Sequence, residues 1–306
     1  MKVLDQYEGK NFAIYNGDCV EVLQGIPDNS IHLSVTSIPF ASLYTYSNSE
    51  RDMGNSKNYG EFAEAYQFLA EQWYRVMMPG RCVCIHCMNL PTSKEKDGYI
   101  GINDFRGDVI RWMQKAGFIY HSEVCIWKNP VTAMQRTKAL GLLHKQIKKD
   151  SCMSRMGIPD YVVTFRKPGD NPERVTHTNE TYPVAHWQEV ASPIWEEYAS
   201  PVWWDINQSD TLNREAARED KDERHICPLQ LPVIERCIEL WSNPGDVVLD
   251  PFDGIGSTGY QALLMGRKHI GVELKGSYFN LAVENLKAAE FNAAQKAEEI
   301  SLFDGK

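Results

Sequence analysis

No stretch of the 306-residue chain approaches the roughly 20 uninterrupted apolar residues that a membrane span requires, so no membrane association is expected. The opening residues, Met1-Lys2-Val3-Leu4-Asp5-Gln6-Tyr7, lack the apolar core of a secretory signal. A cytoplasmic chain keeps its thiols reduced, which argues against a disulfide framework for the eight cysteines. Zinc is disfavoured as well. Cys82-Val83-Cys84-Ile85-His86-Cys87 has no second C-x-x-C or H-x-x-x-H to complete a site, so no metal is expected and the segment reads as a buried strand. Repeats and low-complexity runs are absent.

Positive charge is also scarce, with a net of −9. The deficit is uneven. Between Lys128 and Arg174 ten lysines and arginines face four carboxylates, a net of +6, and the remainder of the chain carries −15. A basic segment on an acidic protein is the asymmetry of a phosphate-contacting region, with Lys138, Lys145, Lys148, Lys149 and Arg155 as candidate contacts. A solvated charged face is the plainer alternative.

Strand and helix patterns alternate at both ends of the chain. Strands are expected over 11–18, 31–37, 82–87, 118–127, 161–166, 246–250 and 269–274. Helices are expected over 61–78, 104–116, 229–241, 257–265 and 277–291, with a solvated tail from Asn292. The alternation predicts a parallel, doubly wound sheet with helices on both faces. Residues 129–224 behave differently, being basic, then rich in Pro and Trp, then charged. Trp187, Trp195, Trp203 and Trp204 either stack on bases or anchor long loops to the body.

Two segments carry chemistry. In Val247-Val248-Leu249-Asp250-Pro251-Phe252-Asp253-Gly254-Ile255-Gly256-Ser257-Thr258-Gly259 a buried strand enters a glycine turn and then a helix. Such a turn brings backbone close to a ligand and presents unpaired N–H groups. Glu273, ending the next strand, is placed to accept ribose hydroxyls. A third phosphate-binding glycine is missing, which favours a nucleoside without a pyrophosphate. The other segment is Thr36-Ser37-Ile38-Pro39-Phe40, at the end of an apolar strand. Open α/β sheets bind ligands beyond the carboxyl ends of their strands, so these two ends side by side would bring cofactor and acceptor together.

With these motifs the sequence resembles the DNA amino-methyltransferases that modify cytosine N4 or adenine N6, in their circularly permuted β-type order. Asn16-Gly17-Asp18-Cys19, Arg75-Val76-Met77-Met78-Pro79-Gly80, Ile126-Trp127-Lys128, His225-Ile226-Cys227-Pro228-Leu229-Gln230 and Ile270-Gly271-Val272-Glu273 with Tyr278 extend the match. The C-terminal end is similar to orphan enzymes of phages and prophages. The resemblance implies a seven-stranded, Rossmann-like methyltransferase fold. Its catalytic half would be residues 1–128, an inserted target-recognition region 129–224 with one strand, about 161–166, belonging to the core sheet, and its cofactor half 225–306. It also implies S-adenosyl-L-methionine as cofactor, double-stranded DNA as partner, and allows a homodimer.

Residue by residue, the resemblance makes Ser37, Ile38, Pro39 and Phe40 catalytic. Ser37 Oγ and the Ile38 carbonyl would accept hydrogen bonds from the base amino group, with Phe40 stacking on the flipped base. Asp18, Cys19 and Thr36 would join Asp250, Phe252, Gly254, Gly256, Thr258 and Glu273 around the cofactor. Ile38 departs from the family's first proline; its carbonyl survives, and Pro39 still biases it to extended backbone. His32 and His86 receive no role. Serine in the motif leans toward cytosine N4, with adenine N6 or an RNA base as rivals. A cofactor-binding but inactive DNA-binding regulator is the reading from another class.

Overall fold

The computed structural model describes residues 3–40, 52–129, 144–153, 156–176, 200–212 and 228–304. The first half contributes β1 (Asp5–Glu8), β2 (Phe12–Asn16), α1 (Cys19–Leu23), β3 (Ile31–Ser37), α2 (Tyr59–Val76), β4 (Met77–Met88), β5 (Leu90–Pro91), α3 (Lys94–Asp97), β6 (Ile102–Asn103), α4 (Phe105–Lys115) and β7 (Ile119–Ile126). The second half contributes α5 (His144–Asp150), β8 (Asp160–Arg166), β9 (Val202–Trp203), α6 (Leu231–Trp241), β10 (Val247–Asp250), α7 (Ser257–Leu264), β11 (Lys268–Glu273) and α8 (Gly276–Asp304). Nine strands form one sheet in the order β1-β2-β11-β10-β3-β4-β8-β7-β9, while β5 and β6 pair separately. The seven strands from β2 to β7 in that order are the expected doubly wound core, and β1 and β9 are short added edges.

The all-parallel expectation is corrected. Strands β2, β11, β10, β3 and β4 are mutually parallel, but β8 runs antiparallel to both β4 and β7, and β1 is antiparallel to β2. Burial on both faces removes the alternation that would betray a strand's setting, and nothing in an apolar run encodes its direction. The order also places β10 and β11, late in the chain, between β2 and β3 from its beginning.

Helix α2 shows how sequence builds one layer. Asn58 caps it by accepting the Glu61 N–H at 3.0 Å, and Phe62, Tyr66, Leu69, Ala70, Trp73 and Val76 form its buried stripe. The helix stops at Val76, two residues before the expected end, because Met77 already adopts extended backbone. Pro79-Gly80 therefore lies inside β4, where the register against β3 shifts between Ile31 and Leu33. The apolar residues of α1, α2 and α4 cover one face of the sheet; those of α6, α7 and α8 cover the other. Trp73 Nε1 donates to Ser34 Oγ at 3.0 Å, and Ser34 Oγ donates to the Leu249 carbonyl at 2.8 Å. That buried chain ties α2, β3 and β10 together.

The C-terminal expectation is corrected too. Helix α8 continues past Phe291 to Asp304, although positions 294–296 are exposed. Alanine, glutamate, lysine and glutamine carry high intrinsic helix propensity, which sustains the helix through these exposed positions. Among the described residues no helix is long and apolar enough to cross a membrane.

At the amino ends of the parallel strands, Arg81 is buried with only 1% exposure and donates from Nη2 to Asp246 Oδ2 at 2.7 Å. Its Nε and Nη1 find no hydrogen-bond partner, so this carboxylate carries the burden of a buried guanidinium. We expect Asp246→Ala to destabilise the fold by about 3–5 kcal/mol, as removal of one partner of a buried pair generally does. Urea denaturation measures this, and a loss below about 1 kcal/mol would mean that Arg81 is solvated.

Candidate active site

Parallel strands β3, β4, β10 and β11 end on one edge of the sheet. That edge gathers Ser37, His86, Asp250 and Glu273. Asp250 closes β10 and is buried; its Oδ1 accepts from Thr36 Oγ1 at 2.6 Å and from the Phe252 N–H at 2.9 Å. Burial and the neighbouring Asp253 push its pKa up to about 7, against these hydrogen bonds, which lower it. Glu273 closes β11. Its Oε2 accepts the Gly254 N–H at 2.9 Å and its Oε1 the Lys275 N–H at 2.7 Å. Burial, opposed by those two N–H groups, pushes its pKa up to about 8, with Asp253 and Asp52 adding to the rise.

The glycine turn between β10 and α7 is shaped by two left-handed residues. Gly254 has φ +56°, and a Cβ there would meet nothing closer than its own neighbour's carbonyl at 4.0 Å, so the backbone borders open space beside Glu273. Gly256 has φ +85° and precedes α7. A side chain at 256 would run toward Ala282 and Leu286 of α8, at 3.3–3.4 Å, rather than into that space. Its glycine is demanded by backbone conformation and helix packing.

Asp18 caps α1 by accepting the Glu21 N–H at 3.1 Å, and Asn16 Nδ2 bonds the carbonyls of Glu273 and Leu274 at 2.8 and 2.9 Å. The Asn16 bonds hold the end of β2 against the end of β11, and Asp18 starts α1 directly after it. The Cys19 side chain is buried in the apolar cluster, and burial raises its thiol pKa well above the ordinary value. Thr36 and Thr258 are buried as well, and their hydroxyls are committed to Asp250 and, at 3.2 Å, to the Val35 carbonyl. Phe252 is partly buried beside them.

At the end of β3, Ile38 has 1% exposure and its side chain joins the core, so the position that lacks the family's proline uses apolar bulk instead. Pro39 is buried, and the Phe40 ring stands edge-on to Phe105 at 6.5 Å and tilted against His86 at 6.0 Å. Ser37 and His86 are direct partners in the β3–β4 register, and Ser37 Oγ lies 2.8 Å from His86 Nδ1. The far side of the ring, Nε2, is 3.1 Å from Asp160 Oδ2, and Lys128 Nζ pairs with that same oxygen. Burial would raise the Asp160 pKa, but Lys128 and then His86 outweigh it and hold the carboxyl below its usual value. His86 and Asp160 were not anticipated from sequence. Their signal was the register of three strands distant in the chain.

The proposed DNA contacts are only partly within the described residues. Lys148 and Lys149 are exposed in the last turn of α5, and Lys145 belongs to the same helix; Lys138 and Arg155 lie outside the described residues. Trp203 is fully buried under the Arg236 guanidinium, 5.1 Å from its carbon, and so anchors its loop, whereas Trp204 is 65% exposed. Trp187 and Trp195 lie outside the described residues.

The sequence profile of the N6/N4 methyltransferases, described as DNA methylase, matches residues 31–284. The chain belongs to this DNA methylase family. It is an S-adenosylmethionine-dependent DNA amino-methyltransferase, and DNA is its substrate. Among its relatives, the Escherichia coli DNA adenine methyltransferase YhdJ is 39% identical over 83 residues, 26% of this chain and 28% of that protein. Type II methyltransferase M.BglII of Bacillus subtilis is 25% identical across 89% of this chain and 68% of its own. The same fold is seen in the Thermus thermophilus protein TTHA0409 complexed with S-adenosyl-L-methionine, with TM-score 0.63 and 23% identity over 92% of this chain and 96% of that one.

The methylase's raised carboxyl pKa values set a pH dependence. A carboxyl whose folded-state pKa exceeds its unfolded value of roughly 4 makes the native state bind more protons, so stability falls as pH rises from about 4 to 8. The ligand-free methylase should therefore be more stable at pH 5.5 than at pH 8.5 on account of these two groups. Asp250→Asn with Glu273→Gln should flatten that trend in urea midpoints. An unchanged pH slope would show that neither carboxyl holds its proton.

Proposed function

We propose that the methylase transfers a methyl group to the exocyclic amino nitrogen of a flipped base in duplex DNA, and that the base is cytosine, methylated at N4. The observation that carries this reading is the adjacency of two strand ends. Ser37 presents its hydroxyl at the end of β3, one strand away from the Asp250 carboxyl and glycine turn that follow β10. The chain order, with the serine motif before the glycine motif, supports the circularly permuted β-type. Residues 129–224, apart from β8, which belongs to the core sheet, then serve as the target-recognition region between catalytic and cofactor halves.

The residues fit the cofactor. An opening bordered by Gly254 backbone has an acidic end at Glu273, suited to ribose hydroxyls, and an acidic flank at Asp250, suited to a cationic methionine part. Gly256 holds the turn, Phe252 lines it, and Asp18 lies at the adenine end, with Cys19, Thr36 and Thr258 shaping the wall from behind. When bound, S-adenosylmethionine supplies an electrophilic methyl on a positively charged sulfur.

The chain's own part is positioning. An exocyclic amino group is a poor nucleophile because its lone pair is delocalised into the ring. Acceptance of its N–H groups by Ser37 Oγ and the Ile38 carbonyl localises that lone pair and aims it, while Phe40 stacks on the ring. A carboxylate at position 37 would be a stronger, charged acceptor; a neutral serine hydroxyl is the pattern that favours cytosine. Ser37→Ala should lower the single-turnover rate about 10²-fold while leaving cofactor affinity by calorimetry unchanged. Nucleoside mass spectrometry of methylated DNA should show N4-methylcytosine. Finding only N6-methyladenine overturns the choice of base.

The basic segment supplies the phosphate contacts, with Lys145, Lys148 and Lys149 on α5 flanked in sequence by Lys138 and Arg155. Neutralising the three lysines of α5 should flatten the slope of log K against log salt by about 0.9 per lost phosphate contact. An unaltered slope would make α5 a solvated face and place DNA elsewhere.

A further inference from the structure

Ser37 does not stand alone. Its hydroxyl oxygen is 2.8 Å from His86 Nδ1, and His86 Nε2 is 3.1 Å from an Asp160 carboxylate that also pairs with Lys128. Asp160 is 2% exposed and His86 7%, so the array is shielded from water. The charged groups placed against the ring, among the described residues, are Asp160 from β8 and, through it, Lys128 from the end of β7. Arg106 and Glu123 are paired with each other nearby, beside Tyr161. The Asp160 carboxylate, 3.1 Å from Nε2 though out of line for a hydrogen bond, attracts a proton to that nitrogen electrostatically and so favours a bare Nδ1. In that tautomer the Ser37 hydroxyl donates to Nδ1, 2.8 Å away, and keeps its lone pairs as acceptors.

We propose that His86, oriented by Asp160 and Lys128, is a positioning residue that fixes the Ser37 hydroxyl as an acceptor and receives the proton that the base amino group must lose. The inference rests on the role given to Ser37 above. The nitrogen lone pair forms the N–C bond, and the S–C pair stays on sulfur. The N–H pair returns to nitrogen as its proton moves to Ser37 Oγ, and the hydroxyl proton moves to His86 Nδ1. The resulting imidazolium faces the Asp160 carboxylate until the proton passes to water. The relay also fastens Ser37 to Lys128 and Asp160, the two residues that flank the segment between β7 and β8.

The test combines kinetics with a readout independent of turnover. Nitrogen-15 spectra of the ligand-free methylase should show His86 protonated at Nε2 and bare at Nδ1. His86→Asn keeps an acceptor near Ser37 but takes no proton, so its single-turnover rate should fall roughly 10²-fold, the low end of general-base contributions. The Ser37→Ala/His86→Asn double variant should be no slower than Ser37→Ala alone, because His86 acts only through that hydroxyl. An Nδ1–H tautomer, full activity of His86→Asn, or multiplying effects in the double variant would each overturn the relay. If Ser37→Ala itself retains full rate, the role of Ser37 falls first; a slow Ser37→Ala with a fast His86→Asn removes the relay alone. Should His86→Asn not fold, the tautomer in the unmodified protein decides.

Discussion

The parallel pairing of β10 with β3 is the constraint on which the methylase depends. Val248 and Leu249 pair with Leu33 and Ser34, so two segments more than two hundred residues apart end side by side. The bond from Thr36 to Asp250 closes that junction at its carboxyl end, and the chain from Trp73 through Ser34 to the Leu249 carbonyl closes it from within. Both motifs would be ordinary turns apart from each other. Together they bring the Asp250 and Glu273 carboxyls and the Ser37 hydroxyl to one edge of the sheet.

That junction also explains the unusual carboxyls. Asp250 and Glu273 sit where strands end, desolvated by neighbouring elements yet supplied with backbone N–H donors from the turn that follows. The donors limit the cost of burial without removing it, so both groups hold protons more tightly than free side chains do. The opposite, amino edge of the sheet has the reverse character. There Arg81 and Asp246 neutralise each other in the interior, where they serve the fold.

The end of strand β3 shows a similar division of labour. Ile38 contributes its side chain to the core, and Phe40 leans on Phe105 and His86. The polar array of Ser37, His86, Asp160 and Lys128 draws one member from each of β3, β4 and β8 and one from the end of β7. Because Ser37, His86 and Asp160 lie on three neighbouring strands, shifting any of these three requires moving a strand of the sheet.

Much was legible in the sequence. Periodicity located nearly every helix and core strand of the two ends, since burial of one stripe imposes its own spacing, and the cysteine-rich run 82–87 packs as the buried strand its apolar neighbours implied. The D-P-F-x-G-x-G and S-I-P-F motifs identified the family because tight turns and strand-end acceptors need those residue types in that order. Tertiary structure decided the rest. The antiparallel direction of β8, the α-helical persistence of the tail and the inward course of a side chain at Gly256 depend on packing partners that no local pattern names. His86 and Asp160 acquire meaning only through register: in the sequence they are a histidine among cysteines and an aspartate before an apolar run. The sheet sets them against Ser37 because hydrogen bonding between strands fixes, residue by residue, which side chains from distant parts of the chain must touch.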